Sequence, residues 1–179
     1  FISKKFDGKL AAEIHDHSLL NEFQAAAEPI ADAFEKREFA KAMREVMALA
    51  DKANFYIAEK EPWQLIKDPA RAAEVNEICS IGINLLRLLM IYLTPVVPTL
   101  AQRVQEFLNE EFQWESHQTI LTNHTVRPFN ALLQRIDMEK VNAMIEDSKQ
   151  QHEAPVSTSN GELERDPIIP EIQFDDFAK

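Results

Sequence analysis

One ten-residue stretch, Asn54-Phe55-Tyr56-Ile57-Ala58-Glu59-Lys60-Glu61-Pro62-Trp63, holds the clearest chemical possibility in the sequence. A helical pattern ends there, a proline fixes the backbone, and the largest aromatic platform follows at once. A nucleobase stacked on an aromatic side chain contributes about 1–3 kcal/mol. A ring held rigidly loses less entropy on binding, which is the physical use of Pro62. Lys60 and Lys67 flank the ring and are candidates to meet phosphates, and Asn54 is a candidate polar contact just upstream. A second role is open to Trp63: sealing the end of a helix bundle with its indole N–H on a carbonyl. Asn54 and Tyr56 then act as capping or packing residues.

The remaining chemistry is sparse. His15-Asp16-His17 has two potential metal ligands, but no third lies at helical spacing, so a polar loop before a helix is expected and no metal is assigned. Cys79, the single cysteine, lies in an apolar stretch with no base near it in sequence and reads as a small buried hydrophobe. Glu110-Glu111 and Asp175-Asp176 sit in or beside loops, where carboxylates stay solvated rather than tuned for acid–base work. Asn84 and Arg87 interrupt an apolar helix and are expected as paired core polars or snorkelling side chains. With only 3 glycines the chain has no phosphate-cradling loop, and no cofactor is assigned to it. No catalytic residue emerges.

Helices must position these groups. From Ser18 to about Gln150 apolar residues recur at helical spacing. Asp16 or Ser18 caps a first helix to about Lys36, kinked at Pro29. A second runs from Glu38 to Lys60, with Phe39, Met43, Val46, Met47, Ala50 and Ile57 along one stripe. Asp68-Pro69 reads as N-cap and first residue of a third, reaching about Leu93. That helix is the most apolar, with Ile78, Ile81, Leu85, Leu88, Leu89 and Tyr92 inward. Its longest unbroken apolar run, Leu88 to Leu93, is far short of a bilayer span of about 20 residues, so no membrane is expected. A fourth helix follows from Pro98 to Leu108, with Leu100, Val104, Phe107 and Leu108 inward. Phe112 to Phe129 is irregular. Asp137 caps a last helix, Met138 to about Lys149, with Val141, Met144 and Ile145 inward. The architecture implied is all-α, an up-and-down antiparallel helix bundle over residues 1–151, with an extended acidic tail at 152–179.

Of the 179 residues, 19 are Lys or Arg and 30 Asp or Glu, a net charge of -11. The excess is uneven: Phe1 to Arg71 carries 11 bases against 13 acids, and Ala72 to Lys179 carries 8 against 17. Overall acidity argues against non-specific nucleic-acid binding, which needs clustered cations. The near-neutral first part still tolerates phosphate at a local site.

Several segments together resemble one family. Arg44 to Trp63 (Arg-Glu-Val-Met-Ala-Leu-Ala-Asp-Lys-Ala-Asn-Phe-Tyr-Ile-Ala-Glu-Lys-Glu-Pro-Trp) is similar to the anticodon-binding helical domain of bacterial methionyl-tRNA synthetases. Phe1-Ile2-Ser3-Lys4-Lys5-Phe6-Asp7-Gly8 resembles the junction leading into that domain. Ile78 to Leu85 and Asn130 to Asp137 resemble later parts of it. Ile172 to Lys179 resembles the start of an appended OB-fold tRNA-binding and dimerisation domain. The resemblance implies that Trp63, with Pro62 as its rigid neighbour, stacks on the anticodon of a tRNA, on the cytidine of CAU above all. It implies a methionine–tRNA ligase for the intact protein, in the cytoplasm, homodimeric through its C-terminal domain. ATP and zinc belong to that intact enzyme, because the His-Ile-Gly-His and Lys-Met-Ser-Lys-Ser elements, the zinc module, and the helix carrying the family's Asn and Arg anticodon readers have no counterpart here. The chain by itself is then expected to be inactive in charging. Two other readings stay open: the equivalent domain of another class I synthetase, such as the valine, leucine or cysteine enzyme, and an acidic helical protein-interaction scaffold that binds no RNA.

Overall fold

The architecture follows from one very apolar helix that other helices must cover. The computed structural model describes residues 1–133 and 138–153. By compactness the chain divides into two units, Phe1–Leu133 and Gln134–Lys179. The first holds α1 (Ile2–Lys5), α2 (Ser18–Ala25), α3 (Ala27–Glu35), α4 (Phe39–Lys60), α5 (Pro62–Leu65), α6 (Ala72–Leu93) and α7 (Pro98–Leu108). The second holds α8 (Met138–Glu153). The expected boundary after residue 151 falls within the second unit, and the tail from 154 lies outside the described residues.

The α6 helix is the axis of the first unit. A 3₁₀ turn at Pro69–Arg71 leads into it, and the Asp68 carboxylate accepts the Ala70 N–H at 3.0 Å, as the Asp-Pro pair predicts. Ile78, Ile81, Leu85, Leu88, Leu89 and Tyr92 are all buried, along with Met90 and Ile91. Burying one such side chain contributes about 1.5–3 kcal/mol, so this row dominates the unit's stability. The α1, α2, α4, α5 and α7 helices pack against it, and α3 packs on α4. By length and mean hydropathy (1.4) the Pro69–Leu93 helix would also reach across a bilayer, but 61% of that window is buried inside the bundle.

The first helix differs from expectation. Pro29 has no N–H for the Ala25 carbonyl, and its ring crowds that carbonyl. The chain therefore breaks at Ala26 into α2 and α3, and the Ala26 N–H is shared by the Glu22 and Phe23 carbonyls at 3.2 Å each. The Phe23 carbonyl shares that N–H, and the buried Tyr92 hydroxyl donates to it as well at 2.8 Å.

The inward face of α4 also differs. Ala42, Val46 and Leu49 are buried and Ala53 and Tyr56 pack against the core, whereas Phe39 and Met47 are exposed. An α-helix has two candidate stripes when apolar residues exceed one face, and the small Ala42 and Ala53 allow the closer approach to α3 and α6. Ile57 is half-buried for a related reason: its Cδ1 lies 2.9 Å from where a Cβ on Gly82 would stand, so Gly82 lets α4 seat on α6. In α7, Ala101, Val104, Phe107 and Leu108 are buried and Leu100 partly so. In α8 the predicted inward residues are not core: Met144 is 67% and Ile145 44% exposed. Asp137, its expected cap, lies outside the described residues.

Residues 8–11 run antiparallel to 123–126, with Val126 N–H to Gly8 O, Leu10 N–H to His124 O and Asn123 N–H to Ala11 O, each at 2.8 Å. Gly8 has φ +76°, and a Cβ there would stand 2.6 Å from the Val126 carbonyl oxygen. Gly8→Ala is expected to destabilise the unit by about 1–3 kcal/mol from backbone strain, and more through the collision. Gly82→Ala, which meets only a flexible side-chain tip, should cost less. Denaturant midpoints of the two variants check the order.

Candidate nucleic-acid interface

The end of α4 is built from hydrogen bonds rather than from flexible loop. Glu61 takes the left-handed conformation (φ 43°, ψ 54°), and its N–H bonds the Ile57 carbonyl at 3.1 Å. Pro62 then occupies the first position of α5, where its missing donor costs nothing. Gln64, Leu65 and Ile66 return N–H bonds to Glu61 and Pro62 carbonyls at 2.8–3.2 Å, and Asp68 N–H reaches Leu65 O at 3.0 Å. Pro62 is buried and α5 packs on α6, so the segment is anchored from below. On this base Trp63 is 43% exposed, and among the described residues its indole N–H has no partner. An indole that sealed the bundle would be covered, with its N–H on a carbonyl.

The other candidates are exposed side chains around this end. The Lys60 ammonium lies 5.8 Å from the Tyr56 ring centroid, and the Lys67 ammonium donates to Gln64 Oε1. Asn54 is exposed, six residues or about 9 Å of helix before Lys60, and not on the same face. The structure thus groups Lys60 with Tyr56, and leaves Asn54 apart.

Tertiary structure adds residues that the sequence did not place here. The loop before α2 meets the start of α6: His15 N–H donates to Glu77 Oε1 at 2.6 Å, and His15 Nδ1 lies 3.0 Å from Oε2. His17 Nε2 contacts the Ile14 carbonyl at 2.8 Å, and Asp16 accepts the N–H and hydroxyl of Ser18 at 2.9 and 2.6 Å. The His-Asp-His motif is spent on holding this loop, as its polar character suggests. Hydrogen bonds from Ser18, and then the Lys60 ammonium, hold the Asp16 carboxyl below its usual range. Burial, reinforced by Asp16 and Glu77, pushes the Tyr56 hydroxyl up to about 12, so it stays a neutral donor. Phe55, inside the same motif, was missed: it is 69% exposed beside an open groove of about 430 Å³ lined with Leu19, Lys52 and Tyr56. Its signal was the mismatch between the two α4 stripes. Acids (Asp16, Glu59, Glu61, Glu74, Glu77) outnumber bases around this end, so it does not suit a ligand held by charge alone.

His15 and Glu77 predict a pH dependence. The hydrogen bond and charge of Glu77 raise the His15 pKa above its ordinary 6.5. Burial raises that of Glu77, but the His15 bonds outweigh it and leave the carboxyl below 4.5. The raised His15 value contributes stability that is complete below pH 6.5 and lost as pH rises through the folded value. The lowered Glu77 value contributes stability present above pH 4.5 and lost on acidification. The pair is expected to be strongest between these limits. Imidazole NMR titration should show His15 above 6.5, returning toward it in Glu77→Gln.

An all-helical bundle with a proline-seated tryptophan exposed at one end is the class of module that the fold and this site define. A profile of the family described as the anticodon binding domain of methionyl tRNA ligase matches residues 8–150. The chain belongs to that family. Among solved structures it is similar to apo Mycobacterium tuberculosis methionyl-tRNA synthetase, with a TM-score of 0.68 and 18% identity, covering 76% of this chain and 29% of that one. The methionyl-adenylate complex of the Mycobacterium tuberculosis enzyme aligns with a TM-score of 0.63 at 18% identity, over 75% of this chain and 28% of that one. A further structure of it, bound by methionyl-adenylate, gives 0.61 at 19% identity, over 74% and 28%. At such identities the likeness is one of fold, and the chain spans under a third of those proteins.

Proposed function

We propose that this bundle reads the CAU anticodon of a tRNA for a methionine–tRNA ligase, with Trp63 as the stacking platform and Pro62 as its rigid seat. The exposed, unpartnered indole on a fully hydrogen-bonded turn carries this reading. Proteins read unpaired loop bases by aromatic stacking together with edge contacts, and the free indole N–H is one such donor. Lys60 and Lys67 approach the phosphates, and Asn54 is a more remote contact. In the intact enzyme a catalytic domain on the same chain joins methionine to the tRNA using ATP. Zinc belongs to that enzyme as well, and the bundle itself takes no cofactor. The protein works in the cytoplasm, as a homodimer through a C-terminal OB-fold that follows the acidic tail.

The test is quenching of the indole in a Trp114→Phe variant, which leaves Trp63 as the emitter. Trp114 packs on Tyr92, with ring centroids 5.6 Å apart, and does not report on this end. A CAU stem–loop should quench Trp63 saturably and other anticodons much less. Equal quenching by every anticodon would mean that Trp63 stacks without reading the bases, and none at all would remove Trp63 from the interface.

A further inference from the structure

A second cavity, of about 330 Å³, lies between α7 and the segment that follows Val126, within the size range of small-ligand clefts. Arg103, Arg127, Asn130, Glu106, Phe107 and Leu132 line it. Both guanidiniums are held in place by neutral oxygens. Arg103 Nη1 donates to the Leu132 carbonyl at 2.7 Å, and Arg127 Nε and Nη2 donate to Asn109 Oδ1 at 3.1 and 2.7 Å. Neither has a carboxylate within 4 Å among the described residues, whereas Arg71 and Arg87 each clamp one. Arg103 keeps Nε and Nη2, and Arg127 keeps Nη1, with hydrogens to donate. Arg103 and Arg127 are both exposed and line the same cavity, so a ligand entering it can reach their spare donors. Planar forks with spare donors suit a tetrahedral oxyanion, and the apolar ring of Phe107 lowers the local dielectric. Glu106 reduces the positive charge, which favours a partner that accepts hydrogen bonds over one held by charge alone.

We infer that Arg103 and Arg127 form a phosphate-binding site. It lies away from Trp63. Arg87 is fifteen residues, or about 22 Å of helix, beyond the start of α6, and its partner Glu110 follows the end of α7, so Arg103 stands farther along still. The phosphate is either one of an RNA backbone or one carried by a small molecule.

The test uses arginine Nε–H NMR signals of the 179-residue chain, titrated with inorganic phosphate against sodium chloride of equal ionic strength. Arg103 and Arg127 should shift saturably with phosphate, while Arg87 stays fixed. Arg103→Met should weaken binding about tenfold or more, and Arg103→Lys, which keeps charge without the fork, should restore part of it. An unchanged Arg87 signal shows that the variants remain folded. Shifts that match those in chloride, or that persist in Arg103→Met, would overturn the site. An anticodon stem–loop with its full stem then identifies the source: displacement of phosphate assigns the site to an RNA backbone, and undisturbed phosphate binding assigns it to a small phosphate ester. Trp63→Ala leaves these shifts unchanged, so failure here and failure at the anticodon end are separable.

Discussion

Trp63→Ala is expected to weaken binding of a CAU stem–loop by about 5- to 150-fold, the equivalent of one lost stacking contact. The effect rests on a residue that is 43% exposed and on the anchored turn beneath it. Truncation leaves Pro62 buried and the hydrogen bonds of 61–68 intact, so thermal stability should change little. Trp63→Phe, which keeps a smaller stacking face and loses the indole N–H, should fall between. Direct titration by calorimetry, alongside melting curves, checks both halves. An unchanged affinity with an intact fold would remove Trp63 from the interface. In an intact ligase the same substitution should lower tRNA charging while methionine activation survives.

Arg87→Met should produce the largest loss of stability, about 3–5 kcal/mol, although it makes the core more apolar. Arg87 is 1% exposed, and it donates to Glu110 through Nε and Nη2 at 2.6 and 2.5 Å and to the Thr119 carbonyl through Nη1 at 2.8 Å. Removing it leaves a largely covered carboxylate and a backbone acceptor without their donor. Arg87→Met combined with Glu110→Gln should recover part of the loss, because the orphaned charge is gone. Urea unfolding of the single and double variants measures the coupling, and simple additivity would show that the pair is not the source. Asn84 secures the same segment, accepting the Leu121 N–H at 2.6 Å and donating to the Leu121 carbonyl at 3.0 Å. The two polar residues of α6 therefore hold the irregular chain beyond α7 against the bundle.

These two residues mark how far the sequence reaches. That Asn84 and Arg87 would be either paired core polars or snorkelling side chains was legible, because an apolar helix cannot bury such groups alone, and their burial decides for the first. Their partners were not, since Glu110, Thr119 and Leu121 lie 23 to 37 residues away on chain with no periodicity. The same division appears at Trp63. Its place behind Pro62 was visible, but the choice between sealing the bundle and standing exposed depended on what neighbouring helices cover.

The sequence by itself determined the long helices α4, α6 and α7, the Asp68-Pro69 turn that leads into α6, and the buried row of α6. Each follows from local conformational preference or from a single strong apolar face. Tertiary structure decided which stripe of α4 turns inward, and it gathered His15, Lys60 and Glu77 at one end and Arg103 with Arg127 at a cavity. Those outcomes depend on the shape and apolar area that distant segments present, and no spacing along the chain encodes them.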